Sequence, residues 1–377
     1  MRKRPKKHFT PKSNWINDPN GLVFHNGYYH LFFQHNPFGN EWGHMSWGHA
    51  RSKDLVSWEE LPIAILENQD HMIFSGSAVF DQHNNRLIAF YTGHKVDNQS
   101  QYITHSYDDG ITWLGAKKII DLDMKDFRDP KVFRYRDYWL MAVAKPNEFL
   151  ISFFASKDLV NWDFLSDFRA PGINTIYECP DLFEIDGLWV LFISTNPGGV
   201  AKGSGMYYIM GNFDGKEFQS TSNPIPVDYG PDFYAAVTFN GVSEKITIGW
   251  MNNWEYANQL SREIWNGSMT SARKLKIEKG RLIQEFIGSF ETFFIEKQDF
   301  QFVYTNGSLK FYSEAGQLII DRNELWDSAI TKFSVPASAP YRVEALFDVG
   351  SIELSINGHI VTAQILVGDE VPRLERG

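Results

Sequence analysis

An all-β fold built as a five-bladed propeller is what the sequence predicts, on three observations. One segment recurs at a fixed spacing, a second series keeps step with it, and helical periodicity is almost absent. Residues 52–58 (SKDLVSW) return nearly unchanged at 156–162 (SKDLVNW), with looser copies at 106–113 and 211–218. Their starts lie 54, 50 and 55 residues apart, the repeat length of propeller blades. The second series runs Asp18, Ser75, Asp129, Glu178 and Asp232, in steps of 57, 54, 49 and 54. Five positions one unit apart predict five blades, each offering the same place on its innermost strand to a central channel.

Within each unit the sequence reads as strand. Residues 28–34, 87–92, 139–144, 189–194 and 246–250 are short, aromatic or β-branched, and bounded by Gly, Asn, Asp or Pro. The recurring SKDLVSW-type segments read as blade hairpins. In them Asp54, Asp108, Asp158 and Asp214 make turns, while Trp58, Trp113 and Trp162 fill the gaps between blades.

Composition bounds what such a fold can do. A chain of 377 residues with 43% hydrophobic content can bury a large core. A net charge of −10 argues against a polyanionic partner, so no nucleic acid is expected. The basic stretch 1–7 reads as a short solvated terminus. No apolar run is long enough for a membrane span, and no apolar h-region follows the basic start. With the single Cys179, this predicts a cytoplasmic location for the chain as written, or a secreted one if a signal has been lost.

Chemistry enters through three acids, each framed by an aromatic and a proline: Asp18 in WINDPNG (15–21), Asp129 in FRDP (127–130) and Glu178 in YECPD (177–181). Any one alone would be an ordinary turn or Asx cap. At equivalent blade positions they converge on one hollow lined by aromatics. Two or three acids so placed suit cleavage of a glycosidic bond, in which one carboxylic acid protonates the leaving oxygen while a carboxylate attacks the sugar or activates water. Asn17 and Asn20 are expected to donate hydrogen bonds that keep Asp18 ionised. Arg128 reads as a bidentate clamp on sugar hydroxyls. The Gly-rich run 196–205 lacks phosphate-loop spacing and reads as a flexible rim loop, and His44 and His49 do not make a zinc pattern, so no metal or cofactor is expected. With no His nearby to activate it, Cys179 reads as a packed neighbour.

WINDPNG, FSGS (74–77), FRDP and YECPD, in this order, closely resemble glycoside hydrolase family 32, the β-fructofuranosidases. Residues 36–50, 228–236 and 249–257 resemble its fructan-acting members. The resemblance implies that Asp18 is the nucleophile of a covalent fructosyl-enzyme, Glu178 the general acid and base, and Asp129 the stabiliser of the transition state. It implies a sugar pocket of Asn17, Gln34, Trp42, Phe74, Ser75, Arg128 and Trp254, and a fructan (levan or inulin) or sucrose as substrate. The second reading is a sugar-binding propeller with lost activity; the related arabinan hydrolases differ in their first motif.

Past Lys274 the texture changes. Alternating strands at 309–312, 317–321, 341–348 and 352–356 follow, and 348–358 resembles a strand-turn-strand of the family's C-terminal β-sandwich. This divides the chain into a propeller at 8–283 and a shortened or truncated sandwich at 297–377. A sandwich with little room for its early strands would expose apolar surface, which predicts lowered stability or a homodimer through this domain.

Overall fold

The structure, a computed structural model, describes residues 3–260, 264–326, 329–366 and 370–375. Arg376 and Gly377, at the end of the predicted second domain, lie outside these. The fold is all-β: among the described residues there is no α-helix, only a 3-10 turn at Pro146–Glu148. The second strand of successive sheets is apolar on both faces, as in Leu188–Asn196 and Tyr138–Lys145, because sheets cover it on either side. Farther out, Leu114–Met124 is almost wholly exposed. Each segment read as strand from the sequence lies within an observed strand.

Five antiparallel sheets follow one another, opening on the strands Asn14–His25, Met72–Asp81, Arg128–Tyr135, Ile176–Ile185 and Tyr234–Thr238. Each opening strand packs against the next, and the fifth packs against the first, so the five close a ring. The strand Trp265–Asn266 pairs parallel to Asn14 and Trp15 on the first sheet. Asn240 staples the closure, donating its backbone N–H to Leu22 O at 2.9 Å and accepting from Phe24 N at 2.8 Å.

The recurring hairpins are turns, as expected. Asp54 Oδ1 accepts from the amides of Val56 and Ser57 at 2.9 and 2.7 Å, and Asp158 Oδ1 from those of Val160 and Asn161 at 2.9 and 2.8 Å. These amide donors hold both carboxyls at about 2. Their tryptophans cross between sheets: Trp113 meets Phe32 and Trp162 meets Phe90 edge-on, at 5.6 and 6.0 Å.

After Phe286 two more sheets form. Glu291–Ile295, Tyr341–Asp348, Ser351–Ile356 and His359–Gln364 make one; Phe300–Tyr304, Gly307–Glu314, Gln317–Asp321, Lys332–Val335 and Arg373–Glu375 make the other. They share a single core that includes Phe302, Leu309, Ile320, Val343, Leu354 and Val361. This region carries more strands than the sequence suggested. Its core is covered, and the large apolar side chains exposed here among the described residues are Phe290, Phe294 and Val371.

Two buried arginines tie these sheets to the ring. Arg273 bonds Asp228 Oδ2 at 3.0 Å, Gln284 Oε1 at 3.0 Å and Glu353 Oε2 at 2.6 Å. Arg322 bonds Asp232 Oδ2 at 3.0 Å, and Tyr256 donates to Asp232 Oδ1 at 2.5 Å. Asp232, read as the fifth channel position, therefore serves this junction instead. The basic terminus is also held: Lys6 and Lys7 donate backbone N–H groups to Asp348, and His8 bonds Asp348 and Glu353 at 3.0 and 2.8 Å. Burial alone would lower the His8 pKa, but the two acids outweigh it and raise it to about 9. Burial would likewise raise Glu353, but Arg273 and His8 hold it at about 2.

Arg273→Ala leaves Asp228 buried without its cation and Glu353 with His8 alone, and should cost about 3–5 kcal/mol in denaturant unfolding. The His8 contribution is complete below about 6.5 and should be lost as pH rises through about 9. The Glu353 contribution is complete above about 4.5 and should be lost as pH falls toward about 2. A His8→Gln variant should lose the alkaline slope in unfolding measurements; an unchanged slope would contradict the assignment.

Candidate active site

At one level of the ring every opening strand breaks register with its neighbour. The breaks lie between Ile16 and Pro19, Ile73 and Gly76, Arg128 and Lys131, Glu178 and Asp181, and Tyr234 and Val237. Such bulges re-aim side chains. Here they fall on or directly beside five pairs: Asn17–Asp18, Phe74–Ser75, Arg128–Asp129, Glu178–Cys179 and Tyr234–Ala235. Asp129, Cys179 and Ala235 take φ of +67°, +47° and +53°, which costs each about 1–2 kcal/mol and persists because the ring over-determines it. Gly76 is demanded by close approach, since a Cβ there would meet Phe90 O at 1.9 Å.

Three of the pairs bring the three acids together. Asp18 Oδ2 accepts from Ser75 Oγ at 2.6 Å and Oδ1 from Asn17 Nδ2 at 2.9 Å. Asn17 is itself oriented by Trp15 Nε1 at 2.6 Å. Asp129 Oδ2 accepts from the Cys179 N–H at 2.9 Å. The Cys179 thiol sits 3.6 Å from Oδ2 of both Asp18 and Asp129. Arg128 donates Nε and Nη2 to Glu178 Oε1 at 3.1 and 3.0 Å, and Nη1 to Asp126 at 2.8 Å. Tyr234 donates its hydroxyl to Glu178 Oε2.

The electrostatics of the pocket follow from its dryness. Burial pushes the Asp18 pKa up; Ser75 and Asn17 oppose the shift and the Glu178 charge adds to it. Burial also raises Asp129, against Arg128 and with the charges of Glu178 and Asp18. This corrects the expectation that Asp18 is held ionised by two asparagines. Asn17 donates to it, but Asn20 turns away: with its amide oriented by its neighbours it accepts from Gln34 N at 3.1 Å and Gln34 Nε2 at 3.0 Å. The Cys179 thiol is driven well above its ordinary range by burial and the acids, so it stays protonated.

The remaining predicted residues fall into three groups. Asn17, Ser75 and Arg128 touch the acids directly. Gln34 is buried and bonds Ile73 O at 3.0 Å and Asn20, not the acids. Trp42, Phe74 and Trp254 do not touch the acids and make ring contacts instead. Phe74 stacks on His94 at 4.2 Å and meets Trp42 edge-on at 6.0 Å, while Trp254 packs 4.8 Å from Trp250 and 5.9 Å from Trp15. The Gly-rich run is tied down, contrary to expectation: Asn253 bonds Ser204 N, Ser204 O and Pro231 O, and Ser204 Oγ accepts from the Trp254 N–H. Sequence reasoning missed Tyr234 and His94. Tyr234 stands two residues after the acid chosen for the fifth position, and only the register break shows that the strand presents it.

The family profile described as glycosyl hydrolases family 32 N-terminal domain matches residues 8–285. The levanase of Bacillus subtilis is 42% identical over 323 residues, which is 77% of this chain and 47% of the levanase. The extracellular exo-inulinase of Aspergillus niger is 38% identical over 346 residues, 75% of this chain and 64% of that protein. The chain thus spans about half to under two thirds of the length of these relatives. Among solved structures, the exo-inulinase of Aspergillus awamori superposes with a TM-score of 0.88 at 30% identity, covering 99% of this chain and 95% of that one.

The carboxylate geometry carries its own test. In a titration followed through ¹³C-labelled aspartate carboxyls, Asp18 and Asp129 should take up protons above the ordinary value of 3.8 as a coupled pair. Ser75→Ala removes a donor that favours the ionised form, and should move the Asp18 transition further up. A transition at or below 3.8 in the native protein would contradict the account.

Proposed function

Because the chain belongs to glycoside hydrolase family 32, we propose that it is a retaining β-fructosidase, releasing terminal β-D-fructose from levan, inulin or sucrose through a covalent fructosyl-enzyme. The observation that carries this reading is the meeting of Asp18, Asp129 and Glu178 from three ring strands, with Ser75, Asn17, Cys179 and Arg128 bonded to them. Glu178 retains 20% of its side-chain exposure, so it faces the opening where a leaving group departs. Asp18 and Asp129 are 9% and 6% exposed and form the floor.

In this mechanism Asp18 attacks the anomeric carbon while Glu178 protonates the departing oxygen; water then attacks the same carbon, gives a proton to Glu178 and frees Asp18. Ser75 and Asn17 aim the Asp18 carboxylate. Asp129 has Oδ2 occupied by Cys179 and offers Oδ1 to sugar hydroxyls, whose bonds strengthen as positive charge grows on the ring. Arg128 orients Glu178 from below. Trp42, Phe74 and Trp254 give sugar rings a face to lie on.

The architecture that supports this is a five-bladed propeller ending at Phe286 rather than 283, with a sandwich that begins at the strand Glu291–Ile295 rather than at 297. The closed ring of opening strands supports the first, and the two sheets on one core support the second. The exposed Phe294 on the edge strand Glu291–Ile295 supports pairing of two copies through the C-terminal sheets.

The native protein should release free fructose from at least one of sucrose, inulin and levan. Asp18→Asn should lower turnover on the order of 10⁴-fold with its melting curve intact. Sugar binding without fructose release would leave only a binding propeller, and an active Asp18→Asn variant would overturn the mechanism.

A further inference from the structure

Glu178 is held at both oxygens, by the Arg128 guanidinium at Oε1 and by the Tyr234 hydroxyl, which comes from the fifth strand, at Oε2. We propose that Tyr234 is a positioning residue: by donating to Oε2 while Arg128 clamps Oε1, it fixes Oε2 as the oxygen that carries the catalytic proton and aims it at the departing oxygen. This rests on the glycosidase reading above.

The argument is one of occupancy. Two N–H groups of a guanidinium point at Oε1, at 3.1 and 3.0 Å; a proton on that oxygen would face a cation, so the proton belongs on Oε2. There the Tyr234 hydroxyl takes one lone-pair direction, which leaves one direction for the O–H bond toward substrate. Tyr234 is suited to this role because it cannot turn away. It is 1% exposed, and the backbone that follows it is pinned by Ala235 N to Ser194 Oγ at 3.2 Å and Ala236 N to Met206 Sδ at 3.1 Å. Burial, with the charges of Glu178, Cys179 and Asp18, holds the phenol well above its ordinary range, so it remains a donor and gives up no proton. The charged or titratable groups facing Glu178 are Arg128, Asp129, Asp18, Cys179 and Tyr234, with Asp126 paired behind Arg128.

The step balances without the phenol's proton. As the bond from the anomeric carbon to oxygen breaks, its electron pair stays on that oxygen, which takes the proton from Oε2, and Asp18 forms the new bond to carbon. In the second half Oε2 takes a proton from the attacking water as the Asp18 bond breaks. Tyr234 stays a phenol throughout.

The test compares sucrose, whose leaving group needs a proton, with β-D-fructofuranosyl fluoride, whose leaving group does not. Tyr234→Phe should lower kcat/KM on sucrose by roughly 10²-fold and on the fluoride by less than about threefold. Loss of a donor that favours the ionised carboxylate should also move the alkaline limb of the sucrose profile to higher pH. Substituting 3-fluorotyrosine at 234, a stronger donor in an unchanged fold, should move it to lower pH. An equal loss on both substrates, or a limb that 3-fluorotyrosine leaves in place, would overturn the proposal. Glu178→Gln separates the two readings. If it shows the sucrose-selective loss and Tyr234→Phe does not, Tyr234 alone is wrongly assigned; if the native protein turns over neither substrate, both readings fall.

Discussion

Three carboxyl groups forced into one dry pocket repel one another, and the centre of this protein is arranged to make that repulsion tolerable. Asp18 and Asp129 share a thiol 3.6 Å from each, and among the described residues the cation bonded to the acids is Arg128, which sits on Glu178. The cation bonds the acid nearest solvent and reaches Asp129 only through its charge, while Asp18 is left to hydrogen-bond donors. That division separates the roles. Both members of the pair bind their protons more tightly than usual, and Ser75, Asn17 and the Cys179 amide are the donors that draw them back toward the ionised form.

Such a pocket survives only if the backbone around it cannot relax. Below the acids the ring is floored by a second polar layer: Lys131 pairs with Asp181 at 3.1 Å, and Asp181 accepts from Thr238 Oγ1 at 2.8 Å. Ser77 bridges the second and third strands, donating to Pro130 O at 2.7 Å and accepting from Val132 N at 2.8 Å. Farther out, Arg273 and Arg322 lock the two C-terminal sheets against the fifth strand and its approach. Asp232 lies in that lock two residues before Tyr234, so the junction and the pocket are parts of one segment. The strained φ angles at Asp129, Cys179 and Ala235 are held between these two layers.

Much of this could be read in the sequence, because the period of the chain is the period of the fold. Short aromatic strands, turn aspartates and inter-sheet tryptophans each follow from local chemistry, and the spacing alone brought Asp18, Asp129 and Glu178 to one place. What escaped depended on contacts distant in sequence. The fifth position was read as Asp232 because an acid at the right spacing resembles the others, whereas its partner Arg322 lies 90 residues away. The terminus around His8 looked solvated because Asp348 and Glu353 lie more than 300 residues later. Asn20 differs from Asn17 in nothing local; only the strand carrying Gln34 decides which of them faces the acid.

The central claim is that Asp18 becomes covalently bonded to sugar while Glu178 supplies and reclaims the proton. The most direct measurement is mass spectrometry of peptides from a Glu178→Gln variant quenched during turnover of β-D-fructofuranosyl fluoride. This variant can form the intermediate without acid help but is slow to hydrolyse it. The account predicts a single fructosyl group on the peptide containing Asp18. Accumulation on any other residue, or fructose release at full rate with no bound sugar at any time, would contradict it.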